Sequence, residues 1–276
     1  MFEEKYIALA FFDILGTSKR LNENELNKVY EYYVEMAKLC SDAMIPIVIE
    51  NTLYGKRELI EYVGKQKPFV LLQTDLKNAF FSDTFIIWIE MDDPFTAILG
   101  GFFEKCSIIF CEALKRRIPL RGSISIGTSI MDEEKKIFLG KPLVEAAKGE
   151  MCQNWLGIGL GRSFRAIHTM DTRYILPYTK HIKTGKEKLS SVLNGYALDW
   201  PRWWRENAVG TEYGDIYSII GEMNNDGNYS KYYEKCLRFY DYSKKGDSIW
   251  EKKTGISGVT KQAISDLISP FIVMEC

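Results

Sequence analysis

The sequence predicts an α+β fold built on a split βαβ core, and three observations predict it. Residues 5–13 are an almost unbroken apolar run ending in Asp13, as a central strand buried on both faces requires. Residues 78–81 and 84–90 are two β-rich runs separated only by Ser82-Asp83, the pattern of a hairpin. Between and after these lie segments whose apolar residues recur at helical spacing, so the order is strand, helix, hairpin, helix, strand (βαββαβ).

In chain order, the first strand is followed by a helix over residues 22–44. Leu26, Val29, Tyr30, Tyr33, Val34 and Ala37 form its apolar stripe, and Asn22 or Asn24 caps it. Residues 45–74 hold short strands at 45–49, 59–63 and 69–72 around a polar loop at Tyr54-Gly55-Lys56. After the hairpin, a helix spans 94–116, capped by Asp92 or Asp93, and strands follow at 120–130 and 135–139. Gly140-Lys141-Pro142 opens a helix running to Cys152, because proline is favoured in a first helical turn. Strands are expected at 157–161 and 173–176. Past Tyr178 the texture changes to a polar loop at 180–190, an aromatic segment at 195–204, and helices at 211–224, 228–244 and 258–269. The whole is a ferredoxin-like core with extra C-terminal helices. Residues 1–178 read as the catalytic domain and 179–276 as a mostly helical extension packed on it.

Composition excludes several function classes. With 276 residues and 46% hydrophobic content the chain can bury a sizeable core, and its formal charge of −1 offers no broad attraction for nucleic acid or an anionic membrane. The most membrane-like stretch, 95–114, is interrupted by Glu104, Lys105 and Glu112. The six cysteines (Cys40, Cys106, Cys111, Cys152, Cys236, Cys276) form no CxxC pair, and only His168 and His181 could join them, so a zinc site is not expected. The acidic start is unlike a signal peptide, and a reduced, cytoplasmic protein fits best.

Two aspartates carry the chemistry. Asp13 closes the apolar run 6–12, and Asp83 sits in the turn of the hairpin with apolar residues on both sides. Desolvating a carboxylate in such a place is costly unless a cation or dense hydrogen bonding offsets it. Two such sites suggest a pair of strands delivering carboxylates to one divalent-metal centre. Gly16 and Thr17, at the start of the next helix, offer loop amides suited to phosphates.

Four short segments, in order over residues 5–160, resemble the class III nucleotide cyclase catalytic domain. Phe12-Asp13-Ile14-Leu15-Gly16-Thr17 is similar to its first metal motif, which implies metal binding by Asp13 and by the Ile14 carbonyl. Phe81-Ser82-Asp83-Thr84 resembles its second metal carboxylate turn. Arg121-Gly122-Ser123-Ile124-Ser125-Ile126-Gly127 resembles the strand that supplies a triphosphate-binding arginine, here Arg121. The segment 140–148 parallels the helix that acts on the transition state, with Val144 at the asparagine position and Lys148 at the arginine position. The two positions that read a purine fall on Ala79 and Ile137, both apolar. A site discriminates a base through polar groups that a wrong base leaves unpaired, so adenine and guanine are not read in the usual way.

These departures, with Gln153-Asn154-Trp155-Leu156-Gly157-Ile158 and the C-terminal extension, resemble the pyrimidine cyclases of bacterial Pycsar anti-phage defence. The resemblance implies conversion of UTP or CTP to the 3′,5′-cyclic monophosphate, two Mg²⁺ or Mn²⁺ ions, and a homodimer with composite sites. Arg162 and Arg165 are further candidate cations, and Trp155, Tyr54 and the tryptophans near residue 200 are candidates for stacking on the base, against a core role. Two other readings compete. The first motif also resembles that of haloacid-dehalogenase phosphatases, with Leu15 in place of the acid/base Asp, and a degenerate cyclase fold could bind a nucleotide without turnover.

Overall fold

Strand β1 (Lys5–Ile14) is the axis of the sheet, antiparallel to β5 (Thr84–Met91) on one side and to β6 (Leu120–Asp132) on the other. The computed structural model describes residues 3–22, 25–41, 44–48, 71–91, 98–166, 174–183, 192–208, 214–224 and 229–254. Strand β4 (Lys77–Phe81) pairs with β5 through the predicted hairpin, giving the order β4-β5-β1-β6 of a split βαβ core. Beyond β6 the sheet continues with β8 (Gly157–Gly161), β10 (Leu193–Leu198) and β9 (Ile175–Pro177), while β7 (Ile137–Gly140) pairs back on β6. Strands β2 (Met44–Val48) and β3 (Leu71–Asp75) form a separate pair.

The two-residue period of the strands sorts side chains between two unlike faces. Ala8, Ala10, Phe12, Phe85, Ile87, Ile89, Ile124 and Ile126 enter the main core. There they meet α2 (Leu26–Ser41) and α3 (Ile98–Lys115), whose stripes supply Met36, Cys40, Phe102, Cys106, Ile109 and Phe110. Helices α5 (Trp200–Asn207), α6 (Ile216–Met223) and α7 (Ser230–Thr254) extend this layer through Trp200, Trp204, Ile219 and Phe239. Burying one side chain such as Phe12 contributes roughly 1.5–3 kcal/mol.

Among the described residues the opposite face carries one helix, α4 (Lys141–Met151). Its seat is a strip of small residues: Ser123, Ser125 and Ser129 on β6, beside Gly157, Gly159 and Gly161 on β8. The Ser125 hydroxyl donates to the Pro142 carbonyl at 2.6 Å. At Gly149 the helix comes so close that a β-carbon would overlap the Ser123 hydroxyl and meet Leu193 at 3.1 Å. Where α4 does not reach, Ile7, Leu9, Ile86 and Trp88 are covered by Phe138 of the β6–β7 hairpin, edge-on to Trp88 at 5.5 Å.

Several expectations change. The helix expected over 22–44 is two, a short α1 (Thr17–Asn22) and α2, so Asn22 ends a helix rather than capping one. Strand β10 was not expected. It lies between β8 and β9, so the sheet crosses the 178/179 boundary, and its register shift between Leu193 and Ala197 erases the alternation that would mark it. Tyr54, the strand at 59–63, the caps at Asp92 and Asp93, His168, the bulk of the polar loop and the helix at 258–269 lie outside the described residues. Cys40, Cys106, Cys111 and Cys236 are free and buried, and Cys152 is buried as well. Among the described residues no helix is long and apolar enough to cross a membrane.

Trp155 is fully buried in an aromatic stack with Tyr178 (5.4 Å), His181 (4.7 Å) and Phe239 (4.8 Å). Both ring nitrogens of His181 are buried without a hydrogen-bond partner among the described residues. Burial, helped by Lys235, depresses its pKa to about 3.

Two stability predictions follow from this packing. Gly149→Ala forces α4 off its strip, outweighing the gain in helix propensity, and lowers stability by about 1–3 kcal/mol in urea unfolding. For His181, only the unfolded state takes up a proton between about pH 6.5 and pH 3, so the folded protein loses stability as pH falls through that window. His181→Phe removes this loss, about 1.4 kcal/mol per pH unit, and flattens stability against pH relative to the wild type below pH 6.5.

Candidate functional site

Register fixes the site. Asp13 lies directly opposite Thr84 on β5 and Arg121 on β6, so one rung of the sheet reads Thr84, Asp13, Arg121. Asp83 follows in the turn just outside that rung, where Ser82 takes a left-handed conformation (φ 49°) and Thr84 Oγ1 donates to the Phe81 carbonyl at 2.9 Å. The Ile14 amide donates to the Asp83 carbonyl at 3.2 Å, which ties the turn to the end of β1. The backbones that carry the two candidate metal carboxylates are thus held together at the end of β1. Burial first, and then the Asp83 charge, push the Asp13 carboxyl above the usual range against the opposing pull of Arg121.

Arg121 is not free to meet a ligand as the sequence suggested. Its guanidinium bonds Asp13 Oδ2 at 3.1 Å, pairs with Glu150, and donates to the Gln153 carbonyl at 3.1 Å. Its remaining face lies over the Tyr232 ring at 5.8 Å. Its charge is thus held by internal carboxylates in this structure, where the resemblance implied a triphosphate-binding arginine. Burial raises the Glu150 carboxyl to about 7, with Arg121 opposing and Asp13 adding to the rise. Gln153 is itself fixed, its amide donating to the Gly122 and Gly149 carbonyls at 2.8 and 3.0 Å and accepting from Trp155 Nε1 at 2.7 Å.

The loop after β1 is partly closed by the C-terminal helix. Gly16 has φ 84°, a conformation that favours glycine, and a β-carbon there would lie a tight 3.3 Å from the Tyr229 ring. Thr17 is buried and its hydroxyl donates to the Ile14 carbonyl at 2.7 Å, leaving one further lone pair on that carbonyl. Helix α1 has six residues, too short to offer an anion more than the loop amides themselves.

Of the remaining candidates, Ala79 shares the face of Asp13 and packs with Phe138 around Trp88, while Phe81 meets Phe138 edge-on at 5.6 Å. Ile137 alternates away from Phe138 and is exposed, so within one chain Phe138, not Ile137, stands beside Ala79. Trp155 belongs to the core and cannot stack on a ligand. Val144 and Lys148 face solvent, and Lys148 projects roughly opposite to Glu150 around α4. Arg162 is exposed, and the side chain of Arg165 lies outside the described residues. Leu15 is buried, so the phosphatase reading finds no second carboxylate there.

Sequence reasoning missed Glu150 and Tyr232 as parts of the site, and it quoted Gln153 only within a motif. For Glu150 a signal existed: Pro142, Ala146 and Gly149 mark a small-residue face, and Glu150 adjoins it. The others depend on contacts between distant segments.

The donor set suits a hard divalent cation. Two carboxylates and a backbone carbonyl are oxygen ligands of the kind Mg²⁺ or Mn²⁺ takes, and a cation between Asp13 and Asp83 would relieve their repulsion. Among the described residues no group of three or more His, Cys, Asp or Glu side chains converges, so water or a ligand's phosphates would complete the shell.

No family model and no curated protein matches the chain. Among solved structures it is similar to the catalytic core of a rhodopsin-guanylyl cyclase with converted specificity in complex with ATPalphaS (13% identity, 72% of this chain and 98% of that one, TM-score 0.42). It is also similar to a bacterial light-regulated adenylyl cyclase (14% identity, 81% and 58% covered, TM-score 0.42). A third likeness is to the guanylyl cyclase domain of the RhoGC fusion protein from the aquatic fungus Blastocladiella emersonii (10% identity, 71% and 97% covered, TM-score 0.41). Identity and overlap at this level are too low to carry an activity across, so the chemistry rests on the residues described above.

Proposed function

We propose that this chain is a nucleotide cyclase that closes a pyrimidine ribonucleoside triphosphate, UTP or CTP, to the 3′,5′-cyclic monophosphate with release of pyrophosphate. The observation that supports it most is that the β1–β5 register pairs Asp13 with Thr84, the neighbour of Asp83, while the Ile14 amide bonds the Asp83 carbonyl at the end of β1. Cyclisation is attack of the ribose 3′-hydroxyl on the α-phosphorus, a phosphoryl transfer in which positioning and charge neutralisation do most of the work. Asp13, Asp83 and the Ile14 carbonyl would hold two Mg²⁺ or Mn²⁺ ions. When bound, such ions lower the pKa of the attacking hydroxyl and neutralise the leaving oxygens.

The chain's own groups do the rest. Arg121 and Glu150 keep Asp13 oriented, and amides near Gly16 face the terminal phosphates. Ala79, Phe81 and Phe138 offer an apolar and aromatic wall to a small base without hydrogen bonds that select a purine. Lys148 points into solvent, so it would act on the site of a second subunit, and a homodimer would carry two equivalent composite sites. In this reading the cyclic product is a cytoplasmic second messenger of anti-phage defence. The enclosure of Arg121 favours one other reading, a nucleotide sensor that binds without turnover.

Incubation with Mn²⁺ and each of the four ribonucleoside triphosphates distinguishes these readings. A cyclic pyrimidine nucleotide plus pyrophosphate is the expected result, abolished by EDTA and reduced about 100-fold or more by Asp13→Asn or Asp83→Asn. Binding without product supports the sensor. A cyclic purine product removes the pyrimidine assignment. Mixing Asp13→Ala with Lys148→Ala chains, each inactive alone, should restore one working site per heterodimer. Unchanged inactivity of a mixture shown to contain heterodimers would exclude the shared site.

A further inference from the structure

The C-terminal extension places a tyrosine against the loop that follows β1. Tyr229 immediately precedes α7, and its carbonyl accepts the Tyr232 and Tyr233 amides at 2.8 and 3.3 Å, which ties it into the first turn. That turn is anchored on both sides. Tyr233, Cys236 and Phe239 of the same helix are buried in the main core, and the Ser230 hydroxyl hydrogen-bonds Asn224 at the end of α6 at 2.9 Å. The Tyr229 ring meets Tyr232 edge-on at 5.9 Å, and Tyr232 in turn underlies Arg121. The hydroxyl end of the Tyr229 ring is the part nearest Gly16. From the position of a β-carbon there, the ring edge is 3.3 Å away and the hydroxyl oxygen 3.9 Å.

Packing accounts for the ring and leaves the hydroxyl over. A phenylalanine would fill the same space, yet the side chain ends in a polar group that makes no hydrogen bond among the described residues. The residue is half-buried and its oxygen is not sealed from solvent, so a ligand can reach it. Phosphate oxygens are strong acceptors, and a phenol O–H offers them a donor. Arg121 is already held by Asp13 and Glu150, so a donor for phosphate at this loop has to come from another residue. We infer that Tyr229 is a substrate-binding residue, its hydroxyl donating to an oxygen of the terminal phosphates. The C-terminal extension then supplies part of the phosphate end of the site. This inference rests on reading the end of β1 as the nucleotide site.

Calorimetric titration of tripolyphosphate into the full chain with Mn²⁺ present, on wild type, Tyr229→Phe and Asp83→Asn, tests it alongside thermal melts. Tyr229→Phe keeps the ring against Gly16 and loses only the hydroxyl. Its melting temperature should equal that of the wild type, while its tripolyphosphate affinity falls about 10-fold or more, as loss of a hydrogen bond to a charged group requires. In turnover the variant should raise KM and keep kcat, the mark of a contact made equally before and during the reaction. Wild-type affinity in Tyr229→Phe, with affinity lost in Asp83→Asn, would overturn the role of Tyr229 and leave the nucleotide site standing. A melt lowered by several degrees would show a hydroxyl engaged within the fold, which also overturns it. Weakened binding in Tyr229→Phe, with no cyclic product from any triphosphate, would keep the phosphate contact and remove the cyclase reading in favour of the sensor. A wild type that binds no tripolyphosphate would remove the site and this inference together.

Discussion

The buried guanidinium of Arg121 is the constraint around which the site is arranged. A charge taken out of water costs several kcal/mol unless it is paired and hydrogen-bonded on every side. Here the partners come from separate parts of the chain: Asp13 from β1, Glu150 from α4, the Gln153 carbonyl from the loop beyond, and the Tyr232 ring from α7. The buried Nε has no hydrogen-bond partner among the described residues. Removing one partner leaves the others facing an imperfectly satisfied charge, a loss of about 3–5 kcal/mol for a broken buried pair. The ion cluster therefore joins the C-terminal helix to the central strand, and it fixes the Asp13 carboxylate beside Asp83.

That arrangement needs α4 close to the sheet, and the small-residue strip of β6 and β8 supplies the closeness. A larger residue at Ser123 or Gly149 would lift the helix and carry Glu150 away from Arg121. The same closeness turns the other side of α4, with Val144, Lys148 and Met151, toward solvent. Glycine and serine in β6 and β8 thus serve the site through helix placement, even where they touch none of its reacting groups.

Much of the core was legible because its pattern is local. The apolar run of β1, the hairpin around Ser82-Asp83 and the helical stripes of α2 and α3 follow from residue spacing alone. What stayed hidden depends on distant contacts. The register shift in β10 removes its alternation. For Trp155 the sequence left base stacking and a core role both open, and His181, Tyr178 and Phe239 from later in the chain bury it completely. Arg121 reads as a cation awaiting a ligand because its acidic partner Glu150 lies 29 positions onward on a helix whose docking face is marked only by small residues.

Charge gives the last link between structure and reaction. Arg121 pairs with Asp13 and Glu150, the Lys183 charge reaches both, and the Asp83 charge reaches Asp13, so these groups together are anionic while Glu150 is ionised. An anionic triphosphate entering it meets repulsion unless cations come with it. Divalent ions held by Asp13 and Asp83 would reverse the local sign, and with it the preference for phosphate oxygens. Lys148 from a second subunit would add to that reversal from the solvent side. Arg121 cannot, because its charge is already matched inside the protein. The geometry that makes one chain a poor receptor for phosphate alone is thus the geometry that makes metal ions and a partner subunit necessary to the proposed reaction.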